Sequence, residues 1–169
     1  MRGTRRALRA RMGFLWTAAR GAAAGAIGTW VMDRVTTAVL ERQSAADTAR
    51  ERAAWPNGKS SVENLVDMGA ARIGLTLRPE ARERLIQLTH YGLGMGPGVL
   101  YALLRRRMPL LGAGGGVVYG LLLFAVNDEL LNTALGLSGP PEAYPASSHV
   151  RGLAGHLALG VTTDLALIA

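Results

Sequence analysis

Residues 85–126 constrain this chain more than any other stretch. They read LIQLTHYGLGMGPGVLYALL, then Arg105, Arg106, Arg107, Met108 and Pro109, then LLGAGGGVVYGLLLFAV. Each apolar run approaches the roughly 20 residues needed to cross a bilayer's hydrocarbon core as a helix. The join between them is tight and triply positive. This pattern predicts a transmembrane helical hairpin with the rest of the chain packed around it.

Two further blocks of similar length complete the pattern. The expected fold is all-α: a polytopic integral membrane protein, a four-transmembrane-helix bundle forming a single domain over residues 1–169. Its spans are expected at about 14–38, 85–104, 110–127 and 150–169, with an outer helical segment at 41–84. Glycine is abundant, at 22 residues, whereas aromatic residues are only 5%. An interior of that composition must pack backbone against backbone, as membrane helices with small residues at their contacts do. Gly25, Gly92, Gly96, Gly112, Gly116 and Gly120 are the expected contact positions, several at four-residue spacing.

Charge sets the expected topology. Arg2, Arg5, Arg6, Arg9 and Arg11 precede the first block without an intervening acid, and Arg105, Arg106 and Arg107 fill the short turn. Positive charge collects on the cytoplasmic side of inner-membrane proteins, so both termini are expected there, in a bacterial inner membrane. Residues 1–12 are expected to be frayed. A cleaved secretory signal is the alternative for this start, opposed by Arg20 and the apolar residues beyond it. The net charge of +7 raises nucleic-acid binding, but the arginines lie at topological positions rather than along one aromatic-interleaved stripe. No nucleic-acid partner is expected. With no cysteine in the chain, disulfides, thiolate metal sites and cysteine nucleophiles are excluded.

Between the blocks the local signals are plain. Trp55-Pro56-Asn57-Gly58 marks a turn, and Ser60-x-x-Glu63 a capping box ahead of a short amphipathic helix. That helix is expected on the membrane surface, over the bundle mouth, or as a solvated connector. Pro79 suits a first helical position. Pro140, Pro141 and Pro145 make residues 136–148 an irregular cap.

Four ionisable residues then fall at similar depth near the outer face: Asp33, His90, Asp128 and His156. Ionisable groups inside a membrane are costly and are functional candidates by default. They are candidates for a ligand-binding or proton-responsive cluster, since histidine titrates near neutral pH. His90 and His156 are the candidate metal ligands, or the axial pair of a haem. The competing expectation is that each histidine closes the bundle through polar contacts alone, with no cofactor. His149 is expected in the outer loop, either solvated or joining the cluster, and Thr162, Thr163 and Asp164 as a satisfied polar patch. No nucleophile motif or phosphate-binding loop is present, so a membrane enzyme or transporter is the least supported reading.

One resemblance rests on Leu135-Gly136-Leu137, the paired Pro140-Pro141, Pro145, and Gly155-His156-Leu157 opening the last helix. His90 with the glycines after it, and Tyr101 before the basic turn, belong to the same pattern. These residues resemble the end of the YagU-like family of bacterial inner-membrane proteins, over the second half of the chain best. The resemblance implies a polytopic inner-membrane protein of unassigned biochemistry, associated with acid tolerance, and marks His156 as a family feature. Residues 41–84 depart from that family. The function expected is therefore a stress- or pH-related membrane protein, in contact with the lipid bilayer. The alternative is a small structural or assembly subunit of a larger membrane complex, or a homo-oligomer, docking through its glycine faces.

Overall fold

A computed structural model describes the backbone of residues 2–169 and the side chains of Arg9 and residues 11–169. Among the described residues there are six helices and no strand. Helix α1 covers Arg2–Leu40, α2 Ala45–Ala54, α3 Ser61–Arg72 and α4 Pro79–Leu104. Helix α5 covers Val117–Ala134 and α6 Ala146–Ile168. The expected frayed start is instead the first turns of α1; the side chains of Arg2, Arg5 and Arg6 lie outside the described residues.

Local chemistry places the boundaries. The Ser44 hydroxyl accepts from the Asp47 amide at the start of α2. Ser60 and Glu63 close a reciprocal capping box on α3, satisfying two amides that helix geometry leaves free. Pro79 occupies the first turn of α4, where its missing N–H costs nothing. Between α2 and α3, Asn57 turns the chain with a φ of 57°.

The third apolar block is shifted from its expected position. Gly114, Gly115 and Gly116 take φ values of 66°, 64° and 93°, a region that only glycine enters cheaply. They hold the chain out of a helix, which starts at Val117 rather than near residue 110. Asn127, Asp128 and Glu129 do not end it either. They lie within a π-helical stretch, Phe124–Leu131, whose wider turn carries the helix on to Ala134.

The four expected spans are overturned. Among the described residues, only α5 is long and apolar enough to cross a membrane, judged by length and composition. The multi-pass inner-membrane placement falls with the spans at 14–38, 85–104, 110–127 and 150–169. The physical reason is dilution: the other blocks have membrane length without membrane hydropathy. The first contains Arg20, Asp33 and Arg34; the second contains Gln87, Thr89, His90 and a run of alternating glycines; the last contains Arg151, His156 and Asp164. Glycine and threonine add little transfer energy, and each charge subtracts several times what a leucine contributes.

Close backbone approach fixes the packing of the long helices. Helix α1 lies against both α4 and α6, and α5 packs on α6. Gly21 meets Gly98 and Gly25 meets Gly94, so α1 and α4 run antiparallel. Gly28 faces Leu159 and Thr163 while Gly155 faces Met32 and Thr36, which makes α1 and α6 antiparallel too. Gly116 against Gly160 and Gly120 against His156 do the same for α5 and α6. Gly25, Gly116 and Gly120 therefore sit at crossings. Gly92 and Gly96 do not: nothing lies within 4 Å of a side chain placed there. Gly94 and Gly98 take that role, because two residues along a helix is more than half a turn. Gly112 lies in a 3-10 turn with the Tyr101 hydroxyl 3.5 Å from its would-be side chain.

Candidate functional site: an imidazole–carboxylate cluster

Antiparallel neighbours bring the end of α1, the first half of α4, the end of α5 and the start of α6 to one end of the molecule. Asp33, His90, Asp128 and His156 all lie there, as two pairs rather than one four-residue centre. His90 Nε2 is 2.7 Å from Asp33 Oδ1, joining α4 to α1. His156 Nδ1 is 3.5 Å from Asp128 Oδ2, joining α6 to α5.

His149 completes the set. It lies in the first turn of α6, not in a solvated loop, with Nδ1 2.7 Å from Glu129 Oε1. Its Nε2 is 3.0 Å from the Pro141 carbonyl, which can only accept, so Nε2 carries a proton. An ionised Glu129 on the other side makes the second nitrogen a donor as well. The ring is thus held between two acceptors, an arrangement suited to imidazolium. The Glu129 hydrogen bond raises the His149 pKa above its ordinary value against the opposing effect of burial, and the Pro141 carbonyl adds to the rise.

His156 is arranged differently. It is only 4% exposed, and its Nδ1 lies 2.9 Å from the Gly152 carbonyl one turn earlier in α6. Nδ1 must therefore be the protonated nitrogen of the neutral ring. Among the described residues no donor reaches Nε2, which keeps its lone pair. The Phe124 ring lies 5.9 Å away, centre to centre.

A cap covers this end. Arg151 of α6 and Glu51 of α2 form a two-pronged ion pair, at 2.9 and 2.5 Å, although 100 residues separate them. Gln43 and Ser148 also donate to the Glu51 carboxylate, at 2.9 and 2.8 Å, and Arg151 donates to Gln43. Burial pushes the Glu51 carboxyl up, but the Arg151, Gln43 and Ser148 hydrogen bonds outweigh it and hold the group below its ordinary value. Helix α3 is fastened twice. The amide nitrogen of the buried Asn64 lies 3.1 Å from each of the carbonyls of Pro56, Lys59 and Leu137, which share its two hydrogens. Asp67 takes hydrogen bonds from Arg82 and Lys59, which pull its carboxyl down to about 2.

Beneath the cap lie two cavities of about 440 and 260 Å³, which share Met32, Ser61, His90, Asp128 and Asn132 in their walls. No three histidine and carboxylate groups among the described residues converge on a point that could hold a metal ion. The cavity bordered by both His90 and His156 measures about 260 Å³, below the roughly 300–1,000 Å³ of ordinary cofactor clefts. Each ring faces its own carboxylate, His90 that of Asp33 and His156 that of Asp128.

The opposite end holds a second polar centre. Asp164 accepts from Tyr101 Oη at 2.5 Å and pairs with Arg105 Nη2 at 2.5 Å. Arg105 thus turns inward from the basic turn, over the Tyr101 ring, which stacks on Tyr119 at 4.3 Å. Asp164 is satisfied as expected of that patch; Thr163 is not, since its buried hydroxyl has no partner among the described residues.

Sequence reasoning reached Asp33, His90, Asp128 and His156 through depth along the helices. It left His149 able to join them without naming Glu129 as its partner, and it missed Glu51 with Arg151, which are distant in the chain and carry no shared spacing. Comparison with known proteins supplies no template for this site: no family model matches the chain, and neither a curated protein nor a solved structure does.

Proposed function

We propose that the protein is a proton-responsive helical module associated with a lipid bilayer, and that its histidine–carboxylate pairs set how firmly the cap grips the end of the helices. One observation carries this reading. All three histidines of the chain face a carboxylate from a different helix, at 2.7, 2.7 and 3.5 Å, at the same end of the molecule.

The chemistry follows from the pairs. A neutral His149 keeps its proton on Nε2 for the Pro141 carbonyl, whereas the protonated ring also donates from Nδ1 to Glu129, a charge-assisted bond about twice as strong as a neutral one. Acidification therefore tightens the joint of α5 with α6 through His149 and Glu129. Glu51 and Arg151 from the cap are the other charges facing this region, and their mutual pairing keeps both in place. The YagU-like resemblance at the chain's end, which implies a link to acid tolerance, points the same way.

Bilayer association is supported by α5, of which only 11% is buried within the fold. Leu121, Leu122, Val126, Leu130 and Leu131 are exposed along it, an apolar surface that soluble monomers rarely leave open. Release of the protein from membranes by alkaline carbonate would refute this part.

The test of the proton response uses Trp55, which borders the larger cavity under the cap. With Trp16 and Trp30 replaced by Phe, its emission should shift between pH 8 and 5. The shift should vanish when His90 and His149 are both changed to Gln. A shift that survives both changes, or none in the parent, rejects the reading.

A further inference from the structure

The smaller cavity carries chemistry that the histidine–carboxylate pairs do not use. It measures about 260 Å³ and is enclosed by α1, α3, α4, α5 and α6. Part of its lining is apolar: Met32, Leu93, Pro97, Leu123 and Leu159. The strongest polar groups bordering it are His156, Asp128 and His90.

Those three groups share one property, which is spare accepting capacity. With Nδ1 of His156 donating to the Gly152 carbonyl, the neutral ring offers Nε2 as a lone pair, on a side chain that is almost wholly buried. The same bond takes the Nδ1 proton away from Asp128, whose Oδ1 receives only the Asn127 amide at 3.1 Å. His90 gives its Nε2 proton to Asp33 and so keeps an accepting Nδ1. An acceptor that borders a cavity and takes no donor from the protein is free to take one from a ligand.

We propose that this cavity binds a small amphipathic primary amine as its ammonium ion. Its N–H groups go to His156 Nε2 and Asp128, and its short alkyl chain lies along Met32, Leu93, Leu123 and Leu159. The Asp128 carboxylate selects a cation over a carboxylic acid of the same length. An alcohol brings a single donor and no charge, and so satisfies less of the site. Buried sites that match hydrogen-bonding groups reject analogues lacking them far more sharply than apolar walls reject a missing methylene.

The proposal shares residues with the proton-responsive reading but does not rest on their titration. Amine binding is measured at one fixed pH and needs no change in the charge of any histidine. Binding without a pH response, or the reverse, separates the two.

The experiment is calorimetric titration of the full chain at pH 8 with n-butylammonium, n-butanol and butyrate. Butylammonium should bind saturably and at least tenfold more tightly than either analogue. Asp128→Asn, which keeps the side-chain shape, should weaken it at least tenfold. Leu93→Trp, at a half-exposed position on the wall, should weaken butylammonium and butanol together by reducing the space. Equal binding of amine and alcohol, unchanged affinity in Asp128→Asn, or no saturable binding of butylammonium overturns the proposal.

Discussion

Two alanine substitutions on one face-switch of α4 should move stability in opposite directions. At Gly98, an added methyl would lie 2.5 Å from the Gly21 carbonyl oxygen and 2.9 Å from the Gly25 Cα. Both are backbone atoms of α1, so no rotamer change relieves the clash and the helices must separate. Overpacking of this kind costs about 1–3 kcal/mol. At Gly96, two residues earlier, nothing lies within 4 Å of the methyl. Replacing glycine by alanine in an open helical position is worth about 1 kcal/mol of stabilisation, because the unfolded chain loses freedom. The two variants should therefore differ by roughly 2–4 kcal/mol, which for a chain of this size is roughly 4–16 °C in melting temperature. Thermal melting followed by circular dichroism, under identical buffer and detergent, measures it. If Gly98→Ala melts at or above Gly96→Ala, the close approach of α1 and α4 is wrong.

Asp164→Ala should destabilise by about 3 kcal/mol, since it strands the inward-turned Arg105. Tyr101→Phe, which removes only one bond to Asp164, should cost about 1 kcal/mol, and chemical denaturation of the two should rank them in that order. The Glu51 carboxyl is held below its ordinary value of 4.5 when folded, so its contribution is complete above that pH and is lost as pH falls through the lower, folded value. Melting from pH 6 to pH 3 should show this loss in the parent, and Glu51→Gln should lower stability at pH 6 while flattening the slope.

Much of the local structure was legible because its causes are local. Ser60 and Glu63, Pro79 and the Trp55 turn act within four residues, and each marks the boundary where it stands. Depth along successive blocks also sufficed to group Asp33, His90, Asp128 and His156. What the residues could not convey was rotational phase. Gly92 and Gly96 were as plausible as Gly94 and Gly98 until α1 showed which face of α4 it meets. The run of Gly114, Gly115 and Gly116 looked like a small-residue helix face, but left-handed backbone made it the boundary before α5. Length misled as well, since blocks of about 20 residues rich in glycine, threonine and histidine match a bilayer's thickness without its hydropathy. The Glu51–Arg151 pair spans the chain and leaves no local trace.

The most direct test is the protonation of the three imidazole rings, read by long-range nitrogen–proton NMR of the side chains from pH 5 to 9. His149, held between Glu129 and Pro141, should stay doubly protonated to higher pH than a free imidazole. The stability that it lends is complete below a free imidazole's pKa and is lost as pH rises through the raised, folded one. His156 should show a single neutral tautomer, protonated at Nδ1. A His149 ring with the ordinary pKa of free histidine, together with mixed tautomers at His156, would contradict the existence of the cluster.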